Sequence, residues 1–359
     1  MRQRRAGPKL HEKKVAGQPP PSAISTLCYR LSAMTLFGDL QNPQAIDASV
    51  RAQLADSLAY IFSQAESHLA VDRERFYSAV EQIRLRKQHP GVFARYFHLI
   101  SAVNANQFSN ANTLLEELID RATEPVSFQI VAFSKEEIGS DYERFPELLF
   151  AEFSNVNPMA SPSQSQFATA TQNFREAIAI ISQVDKRIDD EIKTFLARIY
   201  LAVLNSHPSS KPFGGVTSVM AWGATFVNIE AYQTRWDAVQ FLVHEITHSL
   251  LFGLSSDQPL VLNLADENYP SPLRADPRPM DGIFHATLVS ARLAAFNQAW
   301  VNSGLAETGD RDRSKNAAVR NSQLFHDGLA VIKQHGNLSE LGHRLVDQSR
   351  QAVSELALE

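Results

Sequence analysis

At 359 residues, with 44% hydrophobic and 20% charged residues, the chain has the composition of a globular protein with a full core, which excludes wholesale disorder. Its single cysteine, Cys28, excludes an intrachain disulfide and a cysteine-rich zinc site, and fits a reducing, cytoplasmic setting. The formal charge of −5 is unevenly spread: Arg2, Arg4, Arg5, Lys9, Lys13 and Lys14 face Glu12 alone, so the body is more acidic than the total and poorly matched to nucleic acid.

Residues 1–33 read as a disordered tail, basic at first and then broken by Gly17-Gln18-Pro19-Pro20-Pro21. An arm for an anionic partner is the functional alternative, and a chain that begins near Met34 is the plainer one. No apolar run approaches the roughly 18 residues of a membrane helix, and no signal-peptide core follows the basic N-terminus. Residues 34–124 form an expected helical module, with Val50, Leu54, Leu58 and Ile61, then Phe93, Tyr96, Phe97, Ile100 and Val103, at helical spacing. A catalytic region spans 125–303. It opens with a strand over 125–133, a loop over 154–165 and one long helix over 166–193. Strand candidates follow at 195–204 and 216–229, the latter after the Gly214-Gly215 turn. Helix resumes at about Tyr232 and is expected to end near Gly253, a typical glycine stop. Residues 254–279 hold Pro259, Pro270, Pro272, Pro277 and Pro279 and read as irregular, a length that is uncommon unless the loop is functional. Helix returns over 281–302, and residues 304–359 are expected to be C-terminal helices. The pattern predicts an α+β fold, predominantly helical, with a small sheet next to the helix that carries His244.

That helix contains His244-Glu245-Ile246-Thr247-His248, an H-E-x-x-H spacing that sets two imidazoles one turn apart on one face. At about 100° per residue, Val239, Val243, Ile246 and Leu250 gather on the opposite side, so the core face is already aliphatic. Two imidazoles are too few for a catalytic metal, which normally takes three protein ligands and keeps a position open. His285, Asp266 and Glu267 are the candidates for the third. His285 is preferred, because it lies on the next expected helix just beyond the proline-rich loop. The other histidines do not assemble into a site by spacing.

The loop segment Ser271-Pro272-Leu273-Arg274-Ala275-Asp276-Pro277-Arg278-Pro279 is stiffened by its prolines. A planar guanidinium grips a carboxylate with two hydrogen bonds, so Arg274 or Arg278 suits a carboxylate-bearing substrate or cosubstrate. A surface ion pair of Arg278 with Asp276 or Asp281 is the competing reading. Two chemistries fit a metal with open positions. In a zinc metallopeptidase, Glu245 is the general base for a metal-activated water. In an oxygenase, Fe(II) needs facial ligands and room for a cosubstrate and O2.

Val243 to His248, taken with the downstream run from Ser271 to His285, resembles the HExxH-type peptide-modification proteins of ribosomally made peptide natural products. The resemblance is close over about 241–293 and general elsewhere. It implies an Fe(II)- and 2-oxoglutarate-dependent peptide β-hydroxylase acting on a precursor peptide, with His244, His248 and His285 as iron ligands. A loop arginine would take the distal carboxylate of 2-oxoglutarate, and Glu245 would orient a ligand or contact the peptide. Ligands on helices further imply a scaffold that is not a double-stranded β-helix.

Overall fold

The computed structural model describes residues 42–150, 157–207, 212–272 and 274–356. The expected tail at 1–33, with His11 and Cys28, lies outside the described residues. Four helices open the described chain: α1 (Pro43–Ala65), α2 (Arg73–Leu85), α3 (Pro90–Asn104) and α4 (Phe108–Thr123). The first three begin on side chains that accept an orphan backbone N–H: Asn42 from Ala45, Asp72 from Arg75 and His89 from Gly91. Pro43 and Pro90 stand in first turns, where no N–H is needed.

The sheet comprises β1 (Gln129–Ala132), β2 (Met159–Ala160), β3 (Arg198–Leu204), β4 (Gly215–Thr217) and β5 (Ala224–Asn228). Its order is β1-β3-β5-β4, with β2 beside the far end of β3. Strands β1, β3 and β5 are parallel, whereas β2 and β4 are antiparallel to their neighbours. The strand expected over 125–133 is therefore four residues long. The stretch 216–229 is not one strand: β4 and β5 form a hairpin around a short 3₁₀ turn, with Gly223 at φ +96°, a conformation that glycine alone adopts without strain.

Between the strands lie α5 (Lys135–Ile138), α6 (Asp141–Leu149), α7 (Gln164–Val184) and α8 (Lys186–Phe195). The single helix expected over 166–193 divides at Asp185, which is extended and accepts the backbone N–H groups of Arg187 and Ile188 as the cap of α8. Helix α9 (Arg235–Ser255) carries the H-E-x-x-H residues. It begins later than Tyr232, at a capping box in which Thr234 and Asp237 each accept the other's backbone N–H. It also runs through Gly253. A Cβ there would lie 2.3 Å from Cγ2 of Ile46, so this glycine permits contact between α9 and α1 rather than ending the helix.

Among its described residues the proline-rich loop is irregular apart from an isolated bridge of Val261 with Leu338 and the strands β6 (Asn268–Tyr269) and β7 (Arg278–Pro279), which pair antiparallel. Helices α10 (Met280–Ser303), α11 (Thr308–His335) and α12 (Glu340–Ser354) complete the chain, α10 ending at Gly304 with φ +74°. The start of the loop is bonded to the α11–α12 turn: Leu262 N–H donates to the Asn337 carbonyl (2.7 Å), and Ser339 N–H to that of Leu260 (3.1 Å).

Alternation along the strands buries both faces of the sheet. Ile199, Leu201 and Val227 join the main core, while Tyr200, Ala202, Ala224 and Phe226 pack with Phe133 and Phe145 on the other side. On α9, Val239, Val243, Ile246 and Leu250 are all buried in that main core, as their period requires. The main core draws residues from Ile46 in α1 to Val353 in α12. The described residues are thus mostly helical, with two small sheets and no closed barrel. Among them, no helix is long and apolar enough to cross a membrane.

Candidate metal centre

Because the aliphatic face of α9 is committed to the core, His244 and His248 turn to the opposite side, and α10 delivers His285 against them. Nε2 of His248 lies 3.1 Å from Nε2 of His244, and its Nδ1 lies 3.3 Å from Nδ1 of His285. The rings of His248 and His285 stack at 5.6 Å between centroids with a 20° interplanar angle. Phe252, one turn beyond His248, covers both rings, with its centroid 6.1 Å from His248 and 5.2 Å from His285.

Burial makes these imidazoles hard to charge. His244 is pushed down to about 4, first by burial and then by the nearby Arg274 cation. His248 is held well below the usual range by burial and by its two histidine neighbours. Burial also lowers His285, against the opposing pull of Asp281, whose Oδ1 is 3.8 Å from His285 Nε2. All three are therefore neutral near pH 7, the form in which a ring nitrogen ligates.

The donor set suits a first-row metal. Two nitrogens bound to one ion at about 2.1 Å stand roughly 3.0–3.4 Å apart, which is the spacing of both pairs. His248, however, presents a different nitrogen to each partner. Among the described residues, no set of three or more His, Cys, Asp or Glu donors surrounds one ion position as placed. Ligation by all three requires one imidazole to turn about its side chain.

The histidines open onto a cavity of about 610 Å³. Glu245, Arg274 and Arg278 also line it, as do Gly215, Val216 and Thr217 of β4 and Ser290, Leu293, Asn321 and Leu324 of α10 and α11. Glu245 is 6% exposed, and burial pushes its carboxyl up to about 7, with the Thr217 hydroxyl within hydrogen-bonding reach pulling the other way. Arg278 is engaged by Asp276 at 3.0 Å, the surface pairing weighed from the sequence. Arg274 is exposed and forms no ion pair with the described residues, although its charge is felt at His244. Asp266 and Glu267 are exposed and stand outside the cavity, Glu267 accepting the Tyr269 hydroxyl at 2.6 Å.

The structure thus gathers His244, Glu245, His248, His285 and both arginines at one cavity and leaves the acidic third-ligand candidates aside. Sequence reasoning missed Phe252, Thr217 and Asn321. Phe252 continues the 244/248/252 spacing and was recoverable from it. Thr217 and Asn321 arrive through tertiary contacts that no local spacing announces. No family model and no curated protein matches the chain.

Proposed function

We propose that this protein is an Fe(II)- and 2-oxoglutarate-dependent peptide β-hydroxylase that acts on a side chain of a ribosomally made precursor peptide, with O2 as co-reactant. The observation that carries this reading is the meeting of three buried or half-buried imidazoles from two helices with the exposed Arg274 in one cavity. Together with the motif resemblance, it supports an iron site beside an anchor for a dicarboxylic acid. His244, His248 and His285 would hold the metal. The iron and 2-oxoglutarate, when bound, supply the oxidising chemistry that protein side chains lack.

The remaining work belongs to the chain. Arg274 would grip the far carboxylate of the cosubstrate with its planar fork, while Arg278 is partly neutralised by Asp276. Phe252, Leu293 and Leu324 present apolar surface that displaces water from the reacting groups. Glu245, held beside Thr217, would orient a ligand or meet the peptide.

The test is anaerobic loading with Fe(II), followed by 2-oxoglutarate. The expected result is the visible absorption band of a 2-oxoglutarate chelate on iron, then succinate once O2 is admitted, and one added oxygen atom on the precursor peptide. Absence of both band and succinate overturns the reading. One observation favours a second reading, a zinc metallopeptidase: Glu245 lines the cavity beside His244 and His248, where burial pushes its carboxyl up to about 7, which suits a general base. Glu245→Gln separates the two. It abolishes peptide cleavage with zinc retained if the protein is a peptidase, and leaves the chelate band in place if it is a hydroxylase.

A further inference from the structure

Strand β4 is the last strand of the sheet, and its residues Gly215, Val216 and Thr217 line the cavity of the histidines. The ladder fixes which of its backbone groups look outward. Asn228 N–H donates to the Gly214 carbonyl at 2.8 Å, so 214/228 and, two residues on, 216/226 are the hydrogen-bonded pairs. Gly215 and Thr217 sit opposite Val227 and Thr225 at the intervening, non-bonded positions. The Thr217 and Thr225 hydroxyls lie 3.0 Å apart, in keeping with the closer side chains of such a pair. The N–H and C=O groups of Gly215 and Thr217 therefore point away from β5, toward the edge that has no neighbouring strand among the described residues.

The side chains of the same two positions face α9. A Cβ on Gly215 would lie 2.2 Å from Cε2 of Phe241, and Thr217 reaches Glu245 one helical turn later. Val216 points to the opposite side, against the Phe133–Phe226 cluster. A strand laid on β4 would thus turn alternate side chains toward Glu245 and His244 and the intervening ones away.

We propose that β4 captures the peptide by main-chain strand addition, an extended segment exchanging hydrogen bonds with Gly215 and Thr217. This rests on the reading of the site as one that modifies a peptide, and it deepens that reading. The backbone does the holding, so sequence tolerance is broad. The pleat does the selecting, because only every second residue is turned to the histidines.

The test uses a displayed library of random linear dodecapeptides, panned on the full chain without iron or 2-oxoglutarate. It is therefore independent of the succinate assay: strand addition can hold where hydroxylation fails, and the reverse. The expected result is enriched peptides whose affinity falls about tenfold on N-methylation of one residue and of the residue two further on, with little change at the residue between. Thr217→Pro removes one outward N–H without touching the ladder to β5 and is expected to weaken the same peptides about tenfold, whereas Thr217→Val leaves them bound. The proposal is overturned if no peptide is enriched, if enriched peptides tolerate N-methylation at every position, or if a folded Thr217→Pro protein binds them unchanged. Should Thr217→Pro fail to fold, the N-methyl series alone decides.

Discussion

His248 is the side chain on which the candidate centre turns, since its two ring nitrogens stand 3.1 Å from His244 and 3.3 Å from His285. Loss of His285 removes one of the proposed ligands and leaves the α9 pair intact. His285→Ala is therefore expected to weaken Fe(II) binding at least tenfold in anaerobic metal titrations, with helical content unchanged. The arginines should separate as their surroundings do. Arg274→Lys replaces a fork by a point charge and is expected to raise the 2-oxoglutarate concentration for half-maximal chelate absorption about tenfold. Arg278→Lys, already shared with Asp276, should move it far less.

Among the elements, the approach of α9 to its neighbours sets where the histidines stand. Gly253→Ala tests that packing. Alanine gains up to about 1 kcal/mol in helix propensity, but its Cβ would meet Ile46 at 2.3 Å and Trp222 at 3.1 Å. Overpacking of this kind costs about 1–3 kcal/mol, so a net loss of stability is expected by chemical denaturation. Elsewhere on α10, Arg292 pairs with the fully buried Glu191 of α8, whose carboxyl burial pushes up. Arg292→Met is expected to cost about 3 kcal/mol, and the double variant with Glu191→Leu to recover most of it, because the cost is that of a buried charge left short of its partner. The same elements show what the sequence makes legible. The helical spacing of the aliphatics on α9 forecast the face that packs in the core and left His244 and His248 for the cavity, because such a period is written locally, although α9 is buried over most of its surface. The break at Asp185 and the hairpin within 216–229 were not forecast, since one depends on a side-chain cap and the other on a glycine at positive φ. Helix α9 does end near Gly253, at Ser255, but the glycine is not its stop: its place inside the helix is explained by the distant Ile46 that it admits.

For the molecule as a whole, acid sensitivity has an identifiable source in His89. It is buried at the start of α3, accepts the Gly91 N–H at 3.0 Å, and is pushed down to about 2 by burial and by the cations of Arg121, Arg198 and Arg95. The unfolded chain takes up this proton near pH 6.5, while the folded one does not. Stability is therefore lost progressively as pH falls below about 6.5, by up to about 1.4 kcal/mol per pH unit for this group. His89→Asn preserves a capping side chain and removes the titration, so denaturation curves between pH 6.5 and 4 should show a shallower acid slope. The predominantly helical character and the small sheet beside the H-E-x-x-H helix were legible from periodicity, whereas the closeness of β4 and of Asn321 to the cavity depends on tertiary placement alone. The short β6–β7 ladder has one further consequence. Arg274 rides on a tip whose base is clamped, and the strands of that base lead on one side into α10 and its imidazole. If the site holds a dicarboxylic cosubstrate as proposed, grafting a longer or shorter tip onto the same base would re-size the acid it takes while leaving the three rings on α9 and α10, so that preference would be an exchangeable part.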